Sequence, residues 1–257
     1  MLMLAYRSGI FPMADSLDDP EIFWVEPHDR AILPLDGFRC SRSLARTLRR
    51  GRFSVTCNAA FAGVMDACAA PRTYGSGETW ISARIRASYI ELHRLGQAHS
   101  IECWRDGALV GGLYGVGFDR VFCGESMFSR ERDASKVALA WLVCALRQAG
   151  VQLLDCQFMT EHLASLGAIE LTQGDYVELL KASQRPFGLS SARPISGVGE
   201  GAGPDEEPDD GADEGFAAGA AALALPEGFA ALLASAAAAG CSSSPGNFIA
   251  QSLTHTS

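Results

Sequence analysis

Two short runs hold the residues best suited to chemistry. In VQLLDCQF, Asp155 and Gln157 stand two apart in an apolar stretch that reads as a strand. Successive strand residues face opposite sides. Leu153, Asp155 and Gln157 therefore share one face, and Leu154, Cys156 and Phe158 the other. A carboxylate and an amide among hydrocarbon are costly unless hydrogen-bonded. The pair either satisfies itself in a core network or faces a cleft, where it would orient and deprotonate a nucleophile. In VFCGESMFS, Glu125 is expected at the end of an apolar strand. A carboxylate there can hold a cationic group, stay in solvent, or pair with Arg130 or Arg132.

A third group is basic. Arg39, Arg42, Arg46, Arg49, Arg50 and Arg52 fall within fourteen residues. Positions 42, 46 and 49 lie on one helical face, opposite Leu44 and Leu48. Such a face is either solvated surface or a phosphate-binding row. Trp24, Trp80, Tyr89, Leu113 and Phe122 either belong to the core, stack a base or line an apolar pocket. His93, His99 and His162 stand singly and read as structural. The glycines of GGLYGVG make no phosphate loop, since no Gly-Lys-Ser/Thr follows.

The elements that must position these groups alternate in period. Residues 1–36 read as short strands and turns. Ser41 caps a helix ended by Gly51, residues 53–57 form a strand, and Asn58 caps a helix carrying Phe61, Val64, Met65 and Cys68. A Gly/Ser-rich loop spans 74–78, followed by a helix over 83–95. Asp106-Gly107 joins two strands in a hairpin, and VFCGE adds a third. Helices follow over 135–148, after Thr160 and over 173–183, with VQLLDCQF as a strand between the first two. Strands interleaved with helices around an antiparallel hairpin indicate a mixed α/β fold.

The 257 residues carry a formal net charge of −9. Beyond Ser190 stand nine acidic residues and a single arginine, so the first 189 residues are nearly neutral. Residues 190–257, rich in Ala, Gly, Ser and acid, are expected to be disordered. Within them, 223–233 reads as a transient helix and NFIAQSLTHTS as a segment able to dock. The eight cysteines show no C-x-x-C pair and read as reduced core thiols, which with the absence of a secretory pattern implies a cytoplasmic protein. No apolar run is long enough to span a membrane.

Nine runs in order between about residues 4 and 180 resemble the leucyl/phenylalanyl-tRNA–protein transferases. They are AYRSGIFPM, FWVEPHDRAILPL, SRSL, TWI, GQAHSIECW, LVGGLYGV, FCGESMFSRERDASK, LLDCQF and EHLASLGA. The resemblance implies a small N-terminal domain, here shortened to residues 1–36, and a GNAT-like acyltransferase domain over 37–189. It implies transfer of Leu, Phe or, less well, Met from aminoacyl-tRNA to proteins beginning with Arg or Lys, marking them for N-degron degradation. It assigns Asp155, Gln157 and Glu125 to catalysis. Trp24 would lie near the terminal adenosine, with Trp80 also at the substrate, and Leu113 and Phe122 at the amino-acid pocket. Arg49 and Arg50, with Arg42 and Arg46 on the same helix, would contact tRNA.

An aminoacyl ester is already activated, so no cofactor or metal is expected. On this reading Gln157 accepts a hydrogen bond from the attacking amine while Asp155 polarises its amide. The tail beyond Ser190 has no counterpart in the better-known members. The rival readings are another GNAT-like acyl- or aminoacyltransferase with a different acceptor, and a non-catalytic tRNA-binding adaptor that keeps the arginine face alone.

Overall fold

The computed structural model describes residues 1–16, 21–71, 79–184, 223–239 and 245–254. The loop expected at 74–78, Cys241 and the acidic residues at 200–214 lie outside the described residues.

The chain opens with α1 (Leu2–Arg7), then β1 (Phe11–Met13) and β2 (Phe23–Val25), which pair as a small antiparallel sheet. The expectation of strands and turns alone is corrected by α1. Tyr6 supplies its buried contact. There follow β3 (Asp29–Ile32), α2 (Arg42–Arg49), β4 (Ser54–Cys57), α3 (Phe61–Ala69), α4 (Ala83–Arg94), β5 (Ala98–Arg105) and β6 (Ala108–Phe118). The remainder is β7 (Val121–Ser129), α5 (Ala134–Gln148), β8 (Leu153–Gln157), α6 (Glu161–Ser165), β9 (Ile169–Thr172), α7 (Gln173–Ser183), α8 (Leu225–Ala238) and α9 (Pro245–Thr254).

Seven strands form one mixed sheet in the order β4-β5-β6-β7-β8-β3-β9. Among the described residues its one parallel pair is β7–β8. Asp106 and Gly107 both have positive φ, as the tight β5–β6 hairpin requires. Strand alternation feeds two cores. Ile101, Leu113, Phe122 and Leu154 face the side covered by α2, α5, α8 and α9. Tyr114, Val116, Cys123 and Leu153 face α1, α3, α4 and α7.

Ser41, Ser82, Thr160 and Thr172 cap their helices, each side chain accepting a backbone N–H. Asn58 does not cap α3. It is left-handed at φ 59°, and its side-chain oxygen accepts from Ser100 N while its Nδ2 meets His99. The buried carboxylate of Glu102 accepts from Ala59 and Ala60 N at the start of α3 instead.

The expectation of disorder over 190–257 is corrected for two segments, the one read as a transient helix and the one read as able to dock. α8 lays Phe229 against Trp141, ring centroids 5.5 Å apart, and α9 buries Ile249, Ala250 and Leu253 in the same core. Small residues permit this close approach, so a composition that reads as low-complexity still packs. No described helix is long and apolar enough to cross a membrane.

Candidate active site

The site forms where two strands part. β7 and β8 pair only at Val121–Leu153, Phe122–Leu154 and Cys123–Asp155. β7 then runs on beside β6, while β8 pairs on its other edge with β3. Just beyond the last shared pair, the β6–β7 register shifts. Gly115 faces Gly124 and Tyr114 faces Ser126, leaving Glu125 as the extra residue. A bulge re-aims a side chain that strict alternation would place elsewhere. Glu125 therefore lies inside β7, not at its end, and is buried away from Arg130 and Arg132.

Asp155 is wholly buried and fully engaged. Arg30, itself 1% exposed, donates from Nε to Oδ1 at 2.9 Å and from Nη2 to Oδ2 at 2.5 Å. Tyr176 of α7 donates to Oδ2 at 3.0 Å. The backbone N–H of Gln157 donates to Oδ1 at 2.8 Å. Arg30 also donates to Gly9 O and lies over the Phe11 and Tyr176 rings. This ties the N-terminal segment to β3, β8 and α7. Sequence reasoning missed Arg30. The available signal was the need of any buried carboxylate for a cation.

Gln157 is left-handed, φ 63°, a conformation that costs a non-glycine residue on the order of 1–3 kcal/mol. Asp155 holds it there through the main chain, not through the side-chain amide that the sequence suggested. The amide Nε2 donates instead to Glu125 Oε1 at 3.0 Å. Tyr6 of α1 donates to the same oxygen and Tyr89 of α4 to Oε2, each at 2.8 Å. The two tyrosine hydroxyls also touch each other. Burial pushes the Glu125 carboxyl up to about 7, against the three hydrogen bonds, which favour the anion; the Asp155 charge raises it further. Burial, then the charge of Glu125, holds both tyrosines well above the usual phenol range, so they remain donors.

Beside this network opens a cavity of ≈ 550 Å³. Its lining includes Leu113, Leu139, Leu142, Leu154 and Met127, together with Phe11, Met13, Trp80, Phe158 and His162. Glu125 and Gln157 supply polar groups to the same space. Leu113 and Trp80, both singled out in the sequence, line this cavity. Phe122 does not line the cavity: it is fully buried, and its ring packs against Gly115. Trp24, 46% exposed, lies on a separate cavity of ≈ 170 Å³ with Ile22 and Tyr89. Cys156 lines the main cavity, but burial and then Asp155 raise its thiol, which makes it a poor nucleophile. His93 bonds Ala98 O and stacks on Phe61, as expected of a structural histidine.

The arginine helix lies apart from this cavity. Leu44, Ala45 and Leu48 of α2 are buried, while Arg42, Arg46, Arg49 and Arg50 are exposed around a concavity of ≈ 430 Å³. Among the described residues no cluster of His, Cys, Asp and Glu could hold a metal ion.

Comparison with known proteins matches this sequence to one family. The family model of leucyl/phenylalanyl-tRNA protein transferase matches residues 32–181, and that of its N-terminal domain residues 1–28. A leucyl/phenylalanyl-tRNA–protein transferase of Novosphingobium aromaticivorans is 66% identical, covering 100% of this chain and 95% of its own. The tail thus has a counterpart in that relative. Proteins of the same name from Rhizorhabdus wittichii and Zymomonas mobilis are 61% and 56% identical, over 70% and 71% of this chain and 72% and 68% of theirs. The chain belongs to the leucyl/phenylalanyl-tRNA protein transferase family.

Proposed function

We propose that this protein transfers leucine or phenylalanine, and methionine less well, from aminoacyl-tRNA to the N-terminal Arg or Lys of acceptor proteins. The products would enter N-degron degradation in the cytoplasm. One observation carries the reading. An apolar cavity sized for a large side chain adjoins a glutamine whose amide is already committed on one side.

With Nε2 donating to Glu125, the carbonyl oxygen of Gln157 is the acceptor left for an incoming ammonium or amine. The α-amino group titrates near 8, so a fraction is neutral at cellular pH. Its nitrogen attacks the ester carbonyl carbon and forms the amide bond. The ester C–O bond breaks, and the ribose oxygen of the tRNA leaves with a proton lost by the amine. Glu125 polarises the Gln157 amide, and Asp155 with Arg30 fixes its backbone. Neither need carry the proton. The main gain is alignment of amine and ester.

The side chain of the transferred residue would lie among Leu113, Leu139, Leu142 and Leu154. Such a pocket separates side chains by only about 1–3 kcal/mol per methylene, so overlapping use of Leu, Phe and Met is expected. Trp80 in the cavity lining suits the terminal adenosine, and the α2 arginines suit the acceptor-stem phosphates. We read the fold as GNAT-like, supported by the mixed sheet whose parallel strands part at the cavity.

The test is incubation with labelled Leu-tRNA and a model protein beginning with Arg, beside one beginning with Ala and a control with acetyl-CoA. Label from tRNA on the Arg-start protein alone is expected. Label from acetyl-CoA would favour another acyltransferase. Tight tRNA binding without transfer would favour an adaptor.

A further inference from the structure

The C-terminal helix α9 packs along the arginine helix. Its first turn approaches so closely that a methyl group on Gly246 would overlap the carbonyl oxygen of Leu48 in α2. Ile249, Ala250 and Leu253 share a core with Leu44, Ala45 and Leu48. A second contact fixes the pair from behind. Arg147, at the end of α5, donates to Leu35 O ahead of α2 and, at 3.3 Å, to Ser252 O of α9. α2 is thus held between the domain body and the extension.

This placement brings the last residue of α9 to the arginines. Thr254, exposed, lines the same ≈ 430 Å³ concavity as Arg42, Arg46, Arg49 and Arg50. Four guanidinium groups gathered on one short helix repel one another. The carbonyl end of a helix carries partial negative charge, which favours nearby cations. α9 therefore walls the concavity and sets its carbonyl end there.

We infer that α9 and α2 together build a phosphate-binding concavity, so that the C-terminal extension takes part in holding the nucleic acid. The inference rests on the tRNA reading above, and its occupant is a backbone phosphate of that tRNA. Among the described residues Thr254 bonds within its own helix, to Ala250 O and Gln251 O, and its exposed side chain can be replaced without loss of packing.

The test measures the Kd of the full-length protein for uncharged tRNA, independently of transfer. Thr254→Glu puts a carboxylate among the arginines, and Thr254→Arg adds a cation. Ala230→Glu makes the same acidic change on an exposed position of α8. Thr254→Glu is expected to weaken binding about fivefold at low salt, Thr254→Arg to tighten it, and Ala230→Glu to stay within about twofold. These differences should shrink as salt is raised toward about 0.3 M. Equal effects of the two Glu variants, or weakening by Thr254→Arg as well, would overturn the inference. If Thr254 variants shift binding in opposite directions while the wild type transfers nothing, the concavity stands and the transferase reading fails. In an active enzyme the Thr254→Glu effect should appear in KM for Leu-tRNA.

Discussion

The two charged regions of this protein work by opposite rules. Around Asp155 and Glu125, the charges are buried and both carboxylates have named partners. Along α2, the arginines are exposed and act together as a field. In the first region a displaced atom matters, because low dielectric and fixed geometry make each interaction strong and its loss costly. In the second, number and spacing matter, because water and salt screen each charge. Chemistry belongs to the first kind of environment and phosphate binding to the second.

The largest expected effect breaks the buried side of this comparison. Arg30→Met leaves Asp155 buried without its cation, which should destabilise the fold by about 3–5 kcal/mol, read as urea unfolding. Surviving protein should transfer at least about 100-fold more slowly, since the Gln157 backbone loses its anchor. Arg30→Lys should not restore the rate, because an ammonium lacks the two parallel N–H groups.

A smaller effect concerns Glu125, whose carboxyl is raised to about 7. Between its ordinary range and 7, the folded state holds a proton that the unfolded state has lost. Stability should therefore fall as pH rises through that window, by at most about 3 kcal/mol. Glu125→Gln should flatten this slope. Polarisation of Gln157 needs the anion, so the wild-type rate should also rise through about 7 beyond what amine titration explains. An inflection of equal size in Glu125→Gln would remove Glu125 from the account.

The mildest effect lies on the surface. Replacing Arg42 and Arg46 together by Gln should weaken tRNA binding with little change in thermal stability. The slope of log K against log salt should fall by about 1–2. A large loss of stability would mean that these side chains serve the fold.

The sequence made part of this site legible. Asp155, Gln157 and Glu125 stand out because polar groups in apolar strands need a reason, and the arginine row follows helical spacing. Arg30 was hidden because an arginine before AILPL reads as a strand's solvated start. Tyr6, Tyr89 and Tyr176 come from three helices far apart in the chain, and only the topology gathers them. The bulge at Glu125 depends on a register that no single strand encodes. Phe122 was placed wrongly because a strand residue beside a pocket motif can still face a deeper layer. The hairpin and most helices were readable from turns, caps and period. α8 was legible only as a transient helix and α9 only as a segment able to dock, because close packing of small residues depends on the surface they meet.

The central claim is that Gln157, held by Asp155 and polarised by Glu125, aligns the amine for attack on the aminoacyl ester. Single-turnover transfer from Leu-tRNA to an Arg-start protein, with both saturating, tests it most directly in Gln157→Ala. The account predicts a rate about 100-fold below wild type, with unchanged Kd for tRNA and a native thermal transition. A folded Gln157→Ala protein that transfers at the wild-type rate would contradict it.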